Sequence, residues 1–281
     1  MYDVVIVGAG PAGLFAAYEL CQNKDLKILL LDQGKFAKNR LCPMSKKGIS
    51  CVNCNPCNIM SGYGGAGTFS DGKLNFVPKL GKSDLMKYMD LDSANELIDD
   101  TEEIFNQFGM DSKVYPTNMD EALKIQKKVA LTGAKLMIIK QKHLGSDKLP
   151  MYIQNITDYL VENGVEVREN SYVSDIHSKS KECHEIICGD QIFETKKVIV
   201  APGRTGAKWV QELADKYNIS YISQSIEIGV RVETRKEILE DITSVIYDPT
   251  IFIKTDTYGD EIRTFCTNPG GFVAKENYYG F

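Results

Sequence analysis

YDVVIVGAGPAG, residues 2–13, decides the fold. Its first half is a short apolar run rich in β-branched residues, the signature of a buried strand. Its second half breaks into a turn with glycine at positions 8, 10 and 13, and residues 14–20 continue with helical character. Residues 26–31, LKILLL, form a second apolar run that ends at Asp32. Strand, glycine turn, helix, strand and acid in this order are the dinucleotide fingerprint in its required context. Gly8 permits the tight turn, Gly10 lets the backbone approach a pyrophosphate, and Gly13 lets the helix pack close to the sheet. The phosphates are expected on the helix N-terminus, where unpaired N–H groups and the helix dipole favour negative charge. Asp32 is placed to accept hydrogen bonds from ribose hydroxyls.

The rest of the chain is that of an ordinary globular protein. Its 281 residues are 43% hydrophobic and 25% charged, enough for one large or two medium domains. A net charge of −5 argues against general nucleic-acid binding. No apolar run approaches the ~20 residues of a membrane span. A strand starting at residue 2 leaves no room for a signal peptide, so a cytoplasmic location with reduced thiols is expected.

Beyond Asp32 the pattern changes. Residues 33–77 show little periodicity and many Gly, Cys and Asn, and a loop of that length is expected to be organised by a ligand. Residues 83–108 read as one or two acidic amphipathic helices closed by Gly109, and 119–130 as a further helix. A strand is expected at 135–142 and a helix at 151–162, after Pro150. Strands follow at 165–168, 172–176, 185–188, 191–195 and 198–201, then a helix at 209–217. Strands at 227–232, 250–254 and 262–266 complete the reading, the last two joined by a turn at Gly259-Asp260. This alternation predicts an α/β fold, a Rossmann-like domain with an inserted α+β substrate domain. The nucleotide domain is expected at 1–77 plus 150–207, and the substrate or cap domain at 78–149 plus 208–281.

Two later segments bear on the cofactor. VIVAPGRTG, residues 198–206, is a buried strand breaking into a glycine turn. It resembles the second nucleotide-domain signature of flavoproteins related to glutathione reductase and p-hydroxybenzoate hydroxylase. Residues 62–73, GYGGAGTFSDGK, hold five glycines in twelve positions, a backbone suited to a planar ring or a phosphate. Together with GAGPAG, the motifs CPxxxxGxxCxxCxPCxI, GYGGAGTFSDGKL, HLGSDKL (143–149), IGVRVE (228–233) and FCTNPGG (265–271) resemble the FAD-dependent dehydrogenases of bacteria and archaea. The resemblance runs along essentially the whole chain. It implies FAD as the bound cofactor, held by Gly8, Gly10, Pro11, Ala12 and Gly13 at the pyrophosphate and by Asp32, with Gln33, Gly34 and Arg40, toward the adenosine ribose. It further implies Gly64, Gly65, Ala66, Gly67, Ser70, Asp71, Gly72 and Lys73 near the ribityl chain and ring. Val173 would meet the adenine through its backbone, and Ala201, Pro202, Gly203 and Arg204 would close over the nucleotide.

Flavoproteins of this architecture end on a Gly-Asp segment that completes the FAD site, whereas Gly189-Asp190 and Gly259-Asp260 here sit in hairpin-like turns. With the apolar YYGF at 278–281, this leads to the expectation of a C-terminally truncated chain.

Cys42, Cys51, Cys54 and Cys57 place four thiols within sixteen residues, three of them spaced as in a ferredoxin-type run. An Fe–S cluster, zinc, a redox thiol pair and plain thiols beside the cofactor are all compatible with that spacing. The flavin carries the electron chemistry, so few protein groups need to react. His143 and Cys266 are the candidates for chemistry, and Arg231 and Arg263 for clamping an anion. The expected function is an FAD-dependent oxidoreductase acting on a small molecule or with a redox partner protein. A flavin and Fe–S electron carrier or redox sensor, and an inactive fragment, are the alternatives. No second GxGxxG unit supplies a built-in NAD(P)H domain.

Overall fold

The computed structural model describes residues 1–145, 147–222 and 226–271. Ser146 of HLGSDKL and the terminal YYGF lie outside the described residues. The chain forms two compact units, one built from Met1–Ser70 with the described part of Ser146–Ile226, the other from Asp71–Gly145 with the described part of Glu227–Ala274.

The first unit is a six-stranded sheet. Its order is Asp175–Ser180, Cys183–Cys188, Gln191–Val200, Tyr2–Val7, Ile28–Leu31 and Glu166–Arg168, and the last four are parallel. Val5 sits between Val198 and Leu29, and Val5, Leu29 and Leu31 are all fully buried. Runs that are apolar on both faces are what a parallel strand covered on both sides requires. Helix Pro11–Leu20 crosses between the first two strands, and helix Leu149–Glu162 leads into Glu166–Arg168, burying Tyr152, Ile153, Ile156 and Leu160. The sequence runs from Tyr2–Val7 to one side of the sheet and returns on the other at Gln191–Val200. The gap between the carboxyl ends of these two strands is the topological switch point, the usual ligand crevice of such a sheet.

The second unit holds two three-stranded sheets. One joins Glu261–Arg263, Thr250–Lys254 and Lys135–Met137, and the other joins Lys73–Phe76, Lys140–His143 and Val114–Tyr115. Ala122, Leu136, Val245 and Ile246 form its core, with Ile125 and Val129 from helix Met119–Ala130 packed against them. Asp90 caps the 17-residue helix Leu91–Gln107 by accepting from the Ser93 amide at 2.8 Å. Among the described residues, no helix is long and apolar enough to cross a membrane.

Several boundaries differ from those expected. Residues 73–76 belong with the second unit because they pair with 140–143. Residues 207–222 belong with the first, because helix Ala207–Lys216 drops Leu213 into the sheet's core and Trp209 and Tyr217 pack beside it. The indole of Trp209 donates to Ser174 O at 3.0 Å, which fixes that face. The strands expected at 191–195 and 198–201 are one strand, Gln191–Val200. The one expected at 135–142 splits into Lys135–Met137 and Lys140–His143, which enter different sheets. The one expected at 172–176 starts at Asp175. No strand forms at 227–232.

Candidate functional site

Within the first unit, the three fingerprint glycines have different reasons to be glycine. A Cβ on Gly8, where φ is +103°, would lie 2.2 Å from the carbonyl oxygen of Ala201. A Cβ on Gly13 would lie 1.8 Å from the carbonyl oxygen of Gly8. Both contacts are with backbone, so no side-chain rotation relieves them. Gly10 differs: a Cβ there would meet nothing nearer than the Gly65 Cα at 3.9 Å, an ordinary contact. The protein's own packing therefore does not require glycine at position 10, and the space beside it is left for something else. Gly10 is also the N-cap of helix Pro11–Leu20, no side chain caps that end, and Pro11 and Ala12 are exposed. The first-turn amides thus face outward at the positive end of the helix.

Asp32 is buried at the end of the second strand. Its Oδ2 accepts from the Ala9 amide and its Oδ1 from the Gly34 amide, both at 2.8 Å. Burial pushes this carboxyl up from its usual range, while the two amides pull it down. The Gly62 amide also favours the ionised form, and these three amides leave at least one of the carboxylate's four lone pairs over. The sequence indicated the ribose role; the structure adds that Asp32 ties the glycine turn to the second strand. The Ser171 amide donates to Asp32 O and the Asn170 amide to Gly34 O, each at 2.8 Å. That segment borders an open cavity of about 610 Å3 lined by Phe36, Arg168, Glu169, Ser171, Cys188 and Gln191. Val173 itself is buried in the sheet's core.

The glycine loop closes onto this turn. The Gly64 amide donates to Ala9 O at 2.8 Å, and the Tyr63 hydroxyl donates to Leu30 O at 3.2 Å beneath it. Gly62, Gly64 and Gly65 have φ of +116°, +86° and +66°, and a Cβ on Gly64 would strike Thr68 Oγ1 at 2.2 Å. Gly8–Gly13, Asp32–Gly34, Gly64–Gly67 and Ala201–Arg204 are thus gathered at the carboxyl ends of the parallel strands. Gln33 bridges residues that flank two of these segments, donating from Nε2 to Ser61 Oγ at 3.2 Å and to Thr205 Oγ1 at 3.4 Å.

Arg40 departs from its expected place among the cofactor contacts. Its side chain is buried, donating from Nε to Asn58 O, from one terminal nitrogen to Tyr63 O and Thr68 Oγ1, and from the other to Ile59 O. The guanidinium holds the glycine loop from within. Thr68, which completes this clamp with Tyr63, was not singled out in the sequence; a threonine inside a glycine run was the only signal. Asp71, Gly72 and Lys73 lie in the second unit, which the chain enters at Asp71.

In that second unit, Lys73 joins a polar centre. Its ammonium lies 2.5 Å from Asp248 Oδ2, 3.9 Å from Asp71 Oδ2 and 3.8 Å from the Cys266 sulfur. The Thr267 amide donates to Asp248 Oδ1 at 2.7 Å. Strand pairing sets Lys73 opposite His143, whose Nε2 is 2.9 Å from the Tyr247 hydroxyl with the two rings stacked at 4.2 Å. Tyr247 also donates to Asn268 Oδ1 at 3.1 Å. Three of the motifs, SDGKL, HLGSDKL and FCTNPGG, therefore contribute to one cluster. Tyr247 and Asp248, its buried members, carry no motif that marks them. Arg231 and Arg263 are engaged within the unit, with Cys266 O at 3.3 Å and with Glu227 at 2.8 Å.

Burial raises several tyrosines, and this sets an alkaline limit. Tyr2 and Tyr247 are each pushed from 10.0 to about 12, in both cases chiefly by burial, and Tyr63 and Tyr152 move in the same direction. Between the ordinary and the raised value the unfolded chain releases the phenolic proton while the folded chain keeps it, so stability falls as pH rises. Tyrosinate absorbance at alkaline pH is expected to appear together with loss of helical circular dichroism. Full tyrosine ionisation with the fold intact would contradict these burials.

The cysteine run does not form the metal centre that its spacing allowed. Among the described residues, no group of three or more His, Cys, Asp or Glu side chains is placed to hold a metal ion. Cys42 is the N-cap residue of helix Pro43–Lys47, and Cys51 is exposed with its thiol toward Asn53 Oδ1 at 3.6 Å. Cys57 offers its carbonyl to the amides of Met60 and Ser61. Cys42, Cys51 and Cys57 each serve a local turn, and among the described residues the ligand set that Fe–S or zinc requires is not assembled.

Comparison with known proteins adds the following. The model of the Thi4 family matches residues 1–37. An uncharacterized protein of Clostridium beijerinckii is 25% identical over 280 residues, covering 96% of this chain and 45% of its own length. The chain thus spans less than half of that relative. An uncharacterized protein of Methanosarcina barkeri is 49% identical over 41 residues, 15% of this chain and 10% of its own. Among solved structures, glycine oxidase from Geobacillus kaustophilus aligns with a TM-score of 0.46 and 17% identity, covering 78% of this chain and 59% of its own.

Proposed function

We propose that the first unit binds FAD and that the chain belongs to a flavin-dependent oxidoreductase. The observation that carries this reading is Gly10. It is a glycine that the protein's packing does not demand, at the uncapped start of a helix, facing a second glycine loop. The amides of the first helical turn are proposed to hold the pyrophosphate, and Asp32 the adenosine ribose. The cavity bordered by Glu169 and Ser171 is proposed for the adenine. Gly64–Gly67 and Ala201–Arg204 flank the remainder, in keeping with the flavoprotein motifs rather than with NAD alone. When bound, FAD supplies a ring that accepts or returns hydride or single electrons. The protein's part is to bind and orient it. In the second unit His143 is proposed to hold a proton, with its Nε2 fixed by Tyr247, and Cys266 to lie beside Lys73 without reacting.

The test separates ligand from fold. Gly10→Ala is expected to keep the circular dichroism and melting temperature of the parent chain. Its FAD affinity should fall by about tenfold or more, because the methyl occupies the space that a pyrophosphate needs. Titration by flavin fluorescence, with NAD as the competing nucleotide, reads both properties. A parent chain that binds neither, or an alanine variant that binds FAD as well as the parent, defeats the proposal.

A further inference from the structure

Residues 227–233, EIGVRVE, alternate polar and apolar with the period of a strand, yet among the described residues they pair with no other strand. Ile228, Val230 and Val232 are 89%, 88% and 75% exposed. Among the described residues, none of the segment's backbone N–H or C=O groups makes a hydrogen bond. Its polar side chains do engage, Glu227 with Arg263 and Arg231 with the Cys266 carbonyl. They anchor the segment and leave its apolar side chains in water. Apolar side chains with an unsatisfied backbone form a ready template for another strand.

We infer that this segment pairs, antiparallel, with the same segment of a second copy of the chain, about a two-fold axis through Gly229. The register follows from charge. With Gly229 opposite Gly229, Glu227 faces Arg231 of the second copy and Ile228 faces its Val230. The arrangement repeats on the other side of the axis, so opposite charges share one face and apolar residues the other. Moving the pairing by one step toward the C-terminus, so that Gly229 faces Arg231, sets Glu227 opposite Glu233. A further step sets Arg231 opposite Arg231. Pairing in parallel and in register stacks each charge on its own kind, and any odd shift places a charge against an apolar residue. Among these alternatives, the Gly229-centred register sets opposite charges against each other and apolar residues against each other. A Cβ at Gly229 would meet nothing within 4 Å in the chain itself, so the axis is open to an approaching backbone.

The test uses the whole chain. Sedimentation is expected to show a reversible dimer, and hydrogen exchange to show protection of the amides of residues 227–232 that rises with protein concentration. Arg231→Glu puts two like-charged pairs at the interface and is expected to weaken the dimer by about tenfold or more, with unchanged circular dichroism. If that variant misfolds, the concentration dependence of exchange in the parent chain decides alone. A monomer at all concentrations, or protection independent of concentration, overturns the proposal and assigns the segment to another partner or to none. An Arg231→Glu dimer as tight as the parent overturns the register.

Discussion

Gly13→Ala is expected to cost about 3–5 kcal/mol, a large part of the 5–15 kcal/mol that holds a typical domain together. The new methyl would sit 1.8 Å from the Gly8 carbonyl oxygen, 3.0 Å from its carbon and 3.4 Å from the Ile6 side chain. The helix has to retreat from the sheet to accommodate it. Gly8 has little room to yield, because its amide is bonded to Leu31 O at 2.8 Å and the Ala201 carbonyl fills the space where its Cβ would be. The displacement therefore passes into both neighbours of the first strand, where the interior is close-packed and small volume changes are felt. Two controls grade the effect. Gly203→Ala has open space for its methyl, but its φ of +65° and ψ of −161° lie where essentially only glycine is found, so it meets a backbone penalty alone, about 1–3 kcal/mol. Gly10→Ala should be close to neutral for stability. Urea unfolding followed by circular dichroism measures all three. A Gly13→Ala chain as stable as Gly10→Ala would mean that the helix does not approach the turn this closely.

These differences among the three glycines show what the sequence can and cannot convey. The strand, turn, helix and acid from Tyr2 to Asp32 were legible because each element follows from local pattern and the spacing between them is fixed by geometry. The parallel strands were legible as runs that are apolar on both faces. The unit boundaries were not, because they depend on partners remote in sequence. Nothing near Lys73 announces that its strand will pair with 140–143. Nothing in residues 207–216 announces that Leu213 will find the core beneath Val5 and Leu31. The four-cysteine run misled for a related reason: spacing can permit a metal site, but the turns that carry the thiols decide whether they converge. Tyr247 and Asp248 escaped notice because a buried polar pair is recognisable only by what surrounds it.

The second large effect is expected at Arg40. The reading from motifs placed this side chain against the cofactor, whereas the structure places it under the loop that would meet the cofactor. It is 2% exposed, with hydrogen bonds of 2.9 Å to Asn58 O, 2.8 Å to both Tyr63 O and Thr68 Oγ1, and 2.7 Å to Ile59 O. Its guanidinium carbon also lies 4.9 Å from the centre of the Phe69 ring. Burial pulls the guanidinium down from 12.5 to about 10, partly offset by the nearby Asp32 carboxylate, so it remains protonated at neutral pH. Arg40→Met retains most of the packing volume but leaves three carbonyls and a hydroxyl without their donor. The expected cost is about 3–5 kcal/mol, the range for removing one side of a buried charged network. Arg40→Lys should recover only part of it, since an ammonium on a single stem cannot reach acceptors arranged around a planar fork. Hydrogen exchange is expected to show faster opening at Tyr63, Gly64 and Gly65 in both variants, with FAD affinity falling as the loop loosens. The decisive comparison is between stability and binding. If Arg40→Met unfolds at the parent's urea concentration yet loses FAD, the guanidinium acts on the cofactor directly. If stability and binding fall together, and Arg40→Lys restores both in the same proportion, Arg40 acts through the loop it holds.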